Sequence, residues 1–81
     1  MDLIARTPQQ LGAAIRRRRK QAGFSQHELG AKIQLRQATI SKLEAGEPAT
    51  RLQTLLDALA ALDLELVVRP RTKGPSLEDL F

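Results

Sequence analysis

Cysteine, tryptophan and tyrosine are all missing from this 81-residue chain. Without cysteine there are no disulfide staples and no thiolate metal sites, and nothing points to an oxidising compartment. A single histidine and no carboxylate cluster argue against a metal site built from protein ligands alone. Two phenylalanines make up the whole aromatic content. Single-strand binding surfaces stack bases on aromatic rings, so such a platform is not expected. No apolar run approaches the roughly 18 residues of a membrane span. The opening MDLIART carries an acid at Asp2 and has no apolar core behind a basic start, so it does not read as a secretory signal. Positive charge, by contrast, is plentiful: 13 Lys and Arg against 9 Asp and Glu, a net charge of +4. That balance favours a polyanion as partner. A chain this short forms one small domain with a modest core, and association with a second copy is a natural source of stability.

The apolar residues recur mostly with helical period. Thr7 caps a first helix, with Pro8 at its first position, and Leu11, Ala14, Ile15 and Ala22 lie along one face before Gly23 ends it. Ser25-Gln26-His27-Glu28 is a capping box opening a short second helix that runs to about Ile33, with Leu29 and Ile33 facing in. After a turn at Gln34–Arg36, a third helix runs from about Gln37 to Ala45, with Ile40 and Leu43 inward and Gly46 as its stop. Thr50 and Gln53 form a second capping-box pattern, ahead of a helix whose buried stripe is Leu52, Leu55, Leu56, Leu59 and Leu62.

Beyond Asp63 the pattern changes. Leu64-Glu65-Leu66-Val67-Val68-Arg69, stopped by Pro70, reads as one β-strand without a good partner in the chain, since Leu3-Ile4-Ala5 is a weak candidate. Two resolutions are open. The strand pairs with its copy in a second chain across a two-fold axis, through Leu64, Leu66, Val67 and Val68, or it is an extended segment packed on its own domain. Residues 71–81 cannot form a core. They are a flexible tail or a segment that folds on a partner, with Leu77, Leu80 and Phe81 as its apolar anchors.

Two short helices joined by a tight turn have the pattern of a helix-turn-helix. The second must show small or hydrogen-bonding groups at its exposed N-terminal end to approach base edges, and pack Ile40 and Leu43 behind. Gln37 suits bidentate reading of adenine, Ala38 a thymine methyl, and Ser41 either a donor or an acceptor; Arg36, just ahead, suits guanine or a phosphate. Gln26, in the first turn of the second helix, is placed to clamp a phosphate, where the dipole and free amides favour an anion. Lys42 and Arg51 are further phosphate candidates. The run Arg16-Arg17-Arg18-Arg19-Lys20 points nearly all round a helix, so only part of it, with Arg17 as the candidate, flanks a duplex; others meet Glu28 or Asp57. Ser25 and Thr50 read as caps, Glu28 and Glu44 as a cap partner and a surface or turn-bonding residue. No nucleophile motif or phosphate loop is present, so neither catalysis nor a cofactor is expected.

The stretch Ile15–Gly46, above all FSQHELGAKI and QATISKLEAGE, resembles the lambda-repressor/Cro-like (Xre) helix-turn-helix family, and the likeness extends over about residues 9–64. The resemblance implies a phosphate clamp at Gln26 and base-reading positions at Gln37, Ala38, Thr39, Ser41 and Lys42. A narrower resemblance, carried by QATIS, the helix LQTLLDALAALDLELVV and the lone strand before a short tail, is to HipB-type antitoxins. It implies a dimer joined by a small intermolecular sheet, repression of its own operon, restraint of a HipA-type serine/threonine kinase toxin, and a bacterial cytoplasm. Gln34 stands where many members have Gly, often at positive φ, at roughly 1 kcal/mol. Arg36 replaces a frequent Ser or Thr cap worth roughly 0.5–2 kcal/mol, which a DNA contact of Arg36 would offset. Asp63 replaces another frequent Gly and tolerates the left-handed region better than most residues.

The expected architecture is all-α and lambda-repressor-like: four to five helices in a DNA-binding domain over 1–64, a dimerisation strand at 65–70 and a tail at 71–81. The expected partners are double-stranded DNA carrying an inverted repeat, a second copy and a HipA-type kinase. A stand-alone Xre regulator, or an interaction module that no longer binds DNA, are the rival readings.

Overall fold

The computed structural model describes residues 3–71, so the anchors Leu77, Leu80 and Phe81 lie outside the described residues. These contain four helices: α1 (Pro8–Gln21), α2 (Gln26–Lys32), α3 (Gln37–Glu44) and α4 (Leu52–Ala61). The first two starts follow from local chemistry. Thr7 Oγ1 accepts from the Gln10 amide at 3.0 Å, with Pro8 supplying a pre-set φ at the first position. At α2 the capping box is reciprocal: the Glu28 amide donates to Ser25 Oγ and the Ser25 amide to Glu28 Oε1, both at 3.0 Å.

All four helices end in one way. In each, the residue after the C-cap has positive φ: Gly23 (83°), Gln34 (59°), Gly46 (88°) and Asp63 (57°). The next amide then reaches back to the carbonyl five residues earlier: Phe24 to Arg19, Leu35 to Gly30, Glu47 to Lys42 and Leu64 to Leu59, at 2.8–3.1 Å. These are Schellman closures, which satisfy otherwise orphaned carbonyls. The left-handed conformations expected at Gln34 and Asp63 are both present, and Arg36 caps α3 without any side-chain bond.

Ile15, Leu29, Ile40, Leu43, Ala58, Leu59 and Leu62 form the buried core, with Leu11, Phe24, Ile33, Leu55, Ala61 and Leu64 packed against it. α1 crosses the end of α3 at Gly12, where an added Cβ would stand 2.5 Å from the Leu43 and Glu44 carbonyl oxygens. A side chain there would force the two helices apart.

Four expectations need correction. Ala22 is the exposed C-cap of α1, not part of its buried face. Leu52 and Leu56 are exposed, because the buried stripe of α4 runs through Leu55, Ala58, Leu59 and Leu62, an i, i+3, i+4, i+7 set. The second capping box does not form: Arg51 is the N-cap and makes no side-chain cap bond. Gln53 Nε2 instead donates to Asp57 Oδ1 at 2.8 Å, a partner one turn ahead that competes for its amide. Finally, residues 64–71 contain no strand. Leu64 packs on the core, but Leu66, Val67 and Val68 are 51%, 66% and 93% exposed. An extended segment becomes a strand only when another backbone pairs with it, and among the described residues none does.

Candidate nucleic-acid interface

The turn between α2 and α3 is closed by Gln34 and Leu35, so the N-terminal ends of the two helices emerge side by side. Arg36, Gln37, Ala38 and Ser41 are exposed and Thr39 is half-buried, while Ile40 and Leu43 face the core. α3 therefore has the division of faces that a base-reading helix requires. Lys42 and Arg51 border one shallow hollow with Thr39 and Thr50, between the outer face of α3 and the start of α4. Arg17 is exposed elsewhere. It borders a groove between the N-terminal arm (Leu3, Ile4) and the C-terminal segment (Leu66, Val67). The structure thus brings together all the expected α3 residues with Gln26, Lys42 and Arg51, and sets Arg17 on a different surface.

Gln26 and Gln37 are joined. Gln37 Nε2 donates to Gln26 Oε1 at 3.4 Å, and Gln26 Nε2 donates to Glu44 Oε1 at 3.2 Å. Behind them lies a pair that sequence reasoning missed. Arg19 and Glu44 are both buried and meet in a bidentate ion pair, Nε to Oε2 at 2.6 Å and Nη2 to Oε1 at 2.9 Å. Arg19 Nη1 also donates to the Phe24 carbonyl at 2.8 Å. The Glu44 hydrogen bond raises the Arg19 pKa, against the opposing effect of burial, so the guanidinium stays charged. Glu44 is thus a buried counter-ion, not a surface residue. The basic run divides accordingly: Arg19 is in the core, and Arg18 Nε donates to the Leu62 carbonyl at 3.1 Å, closing the end of α4. These two partners replace the expected Glu28 and Asp57. A signal for the pair existed, because Leu11, Ile15 and Arg19 share one stripe, as do Ile40, Leu43 and Glu44. Opposite charges on two buried stripes point to each other.

Glu28 serves its helix only. The Ser25 backbone amide, and next the Ser25 side chain, hold its carboxyl below the usual glutamate value. A lowered pKa contributes stability above the ordinary value, and that contribution disappears as pH falls through the lowered one. Glu28→Gln keeps an acceptor for the Ser25 amide but does not titrate. In acid titrations followed by circular dichroism, the wild type is expected to lose stability relative to Glu28→Gln across the carboxylate range. Parallel curves would remove the capping role. Among the described residues no group of three His, Asp or Glu could hold a metal ion, and no helix is long and apolar enough to cross a membrane.

Known proteins share this arrangement. A family model described as Helix-turn-helix matches residues 15–68. The chain is 38% identical over 73 residues to the uncharacterized HTH-type transcriptional regulator y4dL of Sinorhizobium fredii (strain NBRC 101917 / NGR234), covering 90% of this chain but only 35% of that longer protein. It is 39% identical over 62 residues to antitoxin HipB of Escherichia coli (strain K12), covering 76% of this chain and 70% of HipB. Among solved structures it is similar to the HipB-O4 20mer complex and to the HipA-HipB-O2-O3 complex. Each match has a TM-score of 0.79 at 35% identity, over 85% of this chain and 97% of the other. The exposed-end, packed-back geometry of α3 and these likenesses agree: the chain belongs to the Helix-turn-helix family and, within it, to the family of the HipB antitoxins.

Proposed function

We propose that this protein is a homodimeric repressor that binds an inverted-repeat operator ahead of its own genes and restrains a HipA-type serine/threonine kinase toxin in the bacterial cytoplasm. The observation that carries the DNA reading is the exposed row Arg36, Gln37, Ala38, Ser41 on a helix docked by Ile40 and Leu43, flanked by Lys42 and Arg51. Arg36, Gln37, Ala38, Thr39 and Ser41 read bases, while Gln26, Lys42, Arg51 and Arg17 hold phosphates. The HipA-HipB-O2-O3 complex among its structural relatives supports the kinase as partner. The tail anchors Leu77, Leu80 and Phe81 are the segment proposed to dock on it.

Dimerisation is supported by the C-terminal segment. Val67 and Val68 are largely exposed on an extended backbone that borders a groove with Leu3 and Ile4. Pairing Leu64, Leu66, Val67 and Val68 with a second copy buries these side chains and satisfies the backbone. The two recognition helices then meet successive major grooves about 34–36 Å apart.

The test compares two variants on operator and random duplexes across a salt series. Gln37→Ala is expected to lose roughly 1–3 kcal/mol on the operator and little on random DNA. Lys42→Ala is expected to weaken both and to lower the salt slope by about one. Equal losses of Gln37→Ala on both duplexes would refute base reading. The likeness to the longer y4dL regulator favours a second reading, a stand-alone regulator without a toxin. Co-purification of a kinase that is lost on deleting residues 71–81 separates the two.

A further inference from the structure

We infer that the buried Arg19–Glu44 pair sets the orientation of the Gln26 and Gln37 side-chain amides, and thereby makes Gln37 select adenine over guanine. This rests on reading α3 as the base-reading helix.

The chemistry is directional. A carboxylate hydrogen-bonded by Arg19 can only accept, so the side of Gln26 that faces Glu44 must be its Nε2 donor, as observed at 3.2 Å. That turns Gln26 Oε1 outward, and an oxygen can only accept. Gln37 must therefore present its own Nε2 to Gln26, as observed at 3.4 Å. One N–H of Gln37 is now committed. One N–H and one oxygen remain for the base. Adenine offers an acceptor at N7 and a donor at N6, which match that remainder. Guanine offers two acceptors, N7 and O6, and would set O6 against Gln37 Oε1. With the Gln26 amide reversed, Gln37 would accept from Gln26 and turn both N–H groups outward, the pattern that guanine takes. The ion pair forbids that reversal because Glu44 has no hydrogen to give. The same relay leaves the second N–H of Gln26 free for a phosphate oxygen. Arg19 and Glu44 touch no base; they are positioning residues, acting through Gln26.

The experiment begins with selection from a random duplex pool by the full-length protein. The Gln37 position is identified as the one whose preference Gln37→Ala erases. Synthetic inverted repeats carrying adenine or guanine there are then titrated. The wild type is expected to favour adenine by about tenfold or more. Glu44→Gln introduces a donor facing Gln26, and the ratio is expected to fall below about threefold. Because that variant leaves Arg19 without a counter-charge, the double variant Arg19→Met/Glu44→Leu is measured beside it. It removes both charges, and buried pairs replaced by apolar groups commonly retain stability. It is expected to melt as the wild type does, to bind a random duplex within about twofold, and to lose the adenine preference equally. A double variant that is folded, binds random DNA normally and still prefers adenine tenfold overturns the inference while leaving base reading by Gln37 intact. A Gln37→Ala protein that retains every base preference overturns the base-reading assignment and this inference with it.

Discussion

Glu44→Ala is expected to destabilise the chain by about 3–5 kcal/mol, since removing one partner strands the buried guanidinium of Arg19. At roughly 0.05–0.15 kcal/mol per residue, a domain of this size has on the order of 4–12 kcal/mol in total, so the variant stands near the limit of folding. Two features raise the effect above that of an ordinary ion pair. The pair is bidentate and excluded from water, so salt screens it little. Arg19 also ties α1 to the loop carbonyl of Phe24, so one side chain joins α1, the start of α2 and the end of α3. Urea unfolding checks the number: the midpoint should fall with little change in slope. Arg19→Met/Glu44→Leu should recover most of the loss. A loss below about 1 kcal/mol for Glu44→Ala would place the pair among exposed salt bridges.

That pair marks the boundary of what the sequence makes legible. Elements specified by near neighbours are readable: the Thr7-Pro8 start, the Ser25–Glu28 box, and the left-handed stops at Gly23, Gln34, Gly46 and Asp63 all form. Each involves residues within one turn, so local chemistry decides it. Arg19 differs, because its environment is set by α3, 25 positions away. Inside a run of five basic residues its charge looks interchangeable with the others, and only its register with Leu11 and Ile15 distinguishes it. The second capping box failed for a related reason. Gln53 has two partners within reach, and the pattern records only one of them. Leu52 and Leu56 show the limit of a leucine-rich helix: five leucines exceed the width of one buried face, and a single chain covers only part of it. The C-terminal segment is the extreme case, since its pairing requires a backbone that one chain does not supply. At the interface, the residue types at 36–42 were readable from their exposure pattern. The Gln26–Gln37 contact was not, because it depends on the angle between α2 and α3.

The angle itself depends on Ile40, and Ile40→Ala is expected to lower stability by about 2–5 kcal/mol. Ile40 is fully buried and lies midway along α3, within the cluster holding Leu29 and Leu59. α3 is eight residues long, too short to persist on its own, so its position comes from the docking of Ile40 and Leu43. Truncation leaves a cavity that the surroundings fill only in part, because Gly12 already brings α1 into backbone contact with the end of α3. A melting temperature lower by roughly 10–30 °C is expected for a domain of this size, and Ile40→Val should lose only about 0.5–1.5 kcal/mol. The functional consequence separates packing from contact. Ile40 touches no DNA, yet a loosened α3 shifts Gln37, Ala38 and Ser41 together. Operator binding by Ile40→Ala, measured well below its melting point, should therefore fall more than binding to random DNA. Equal affinity for the operator in the wild type and Ile40→Ala at that temperature would mean that α3 is positioned by the DNA and not by the core.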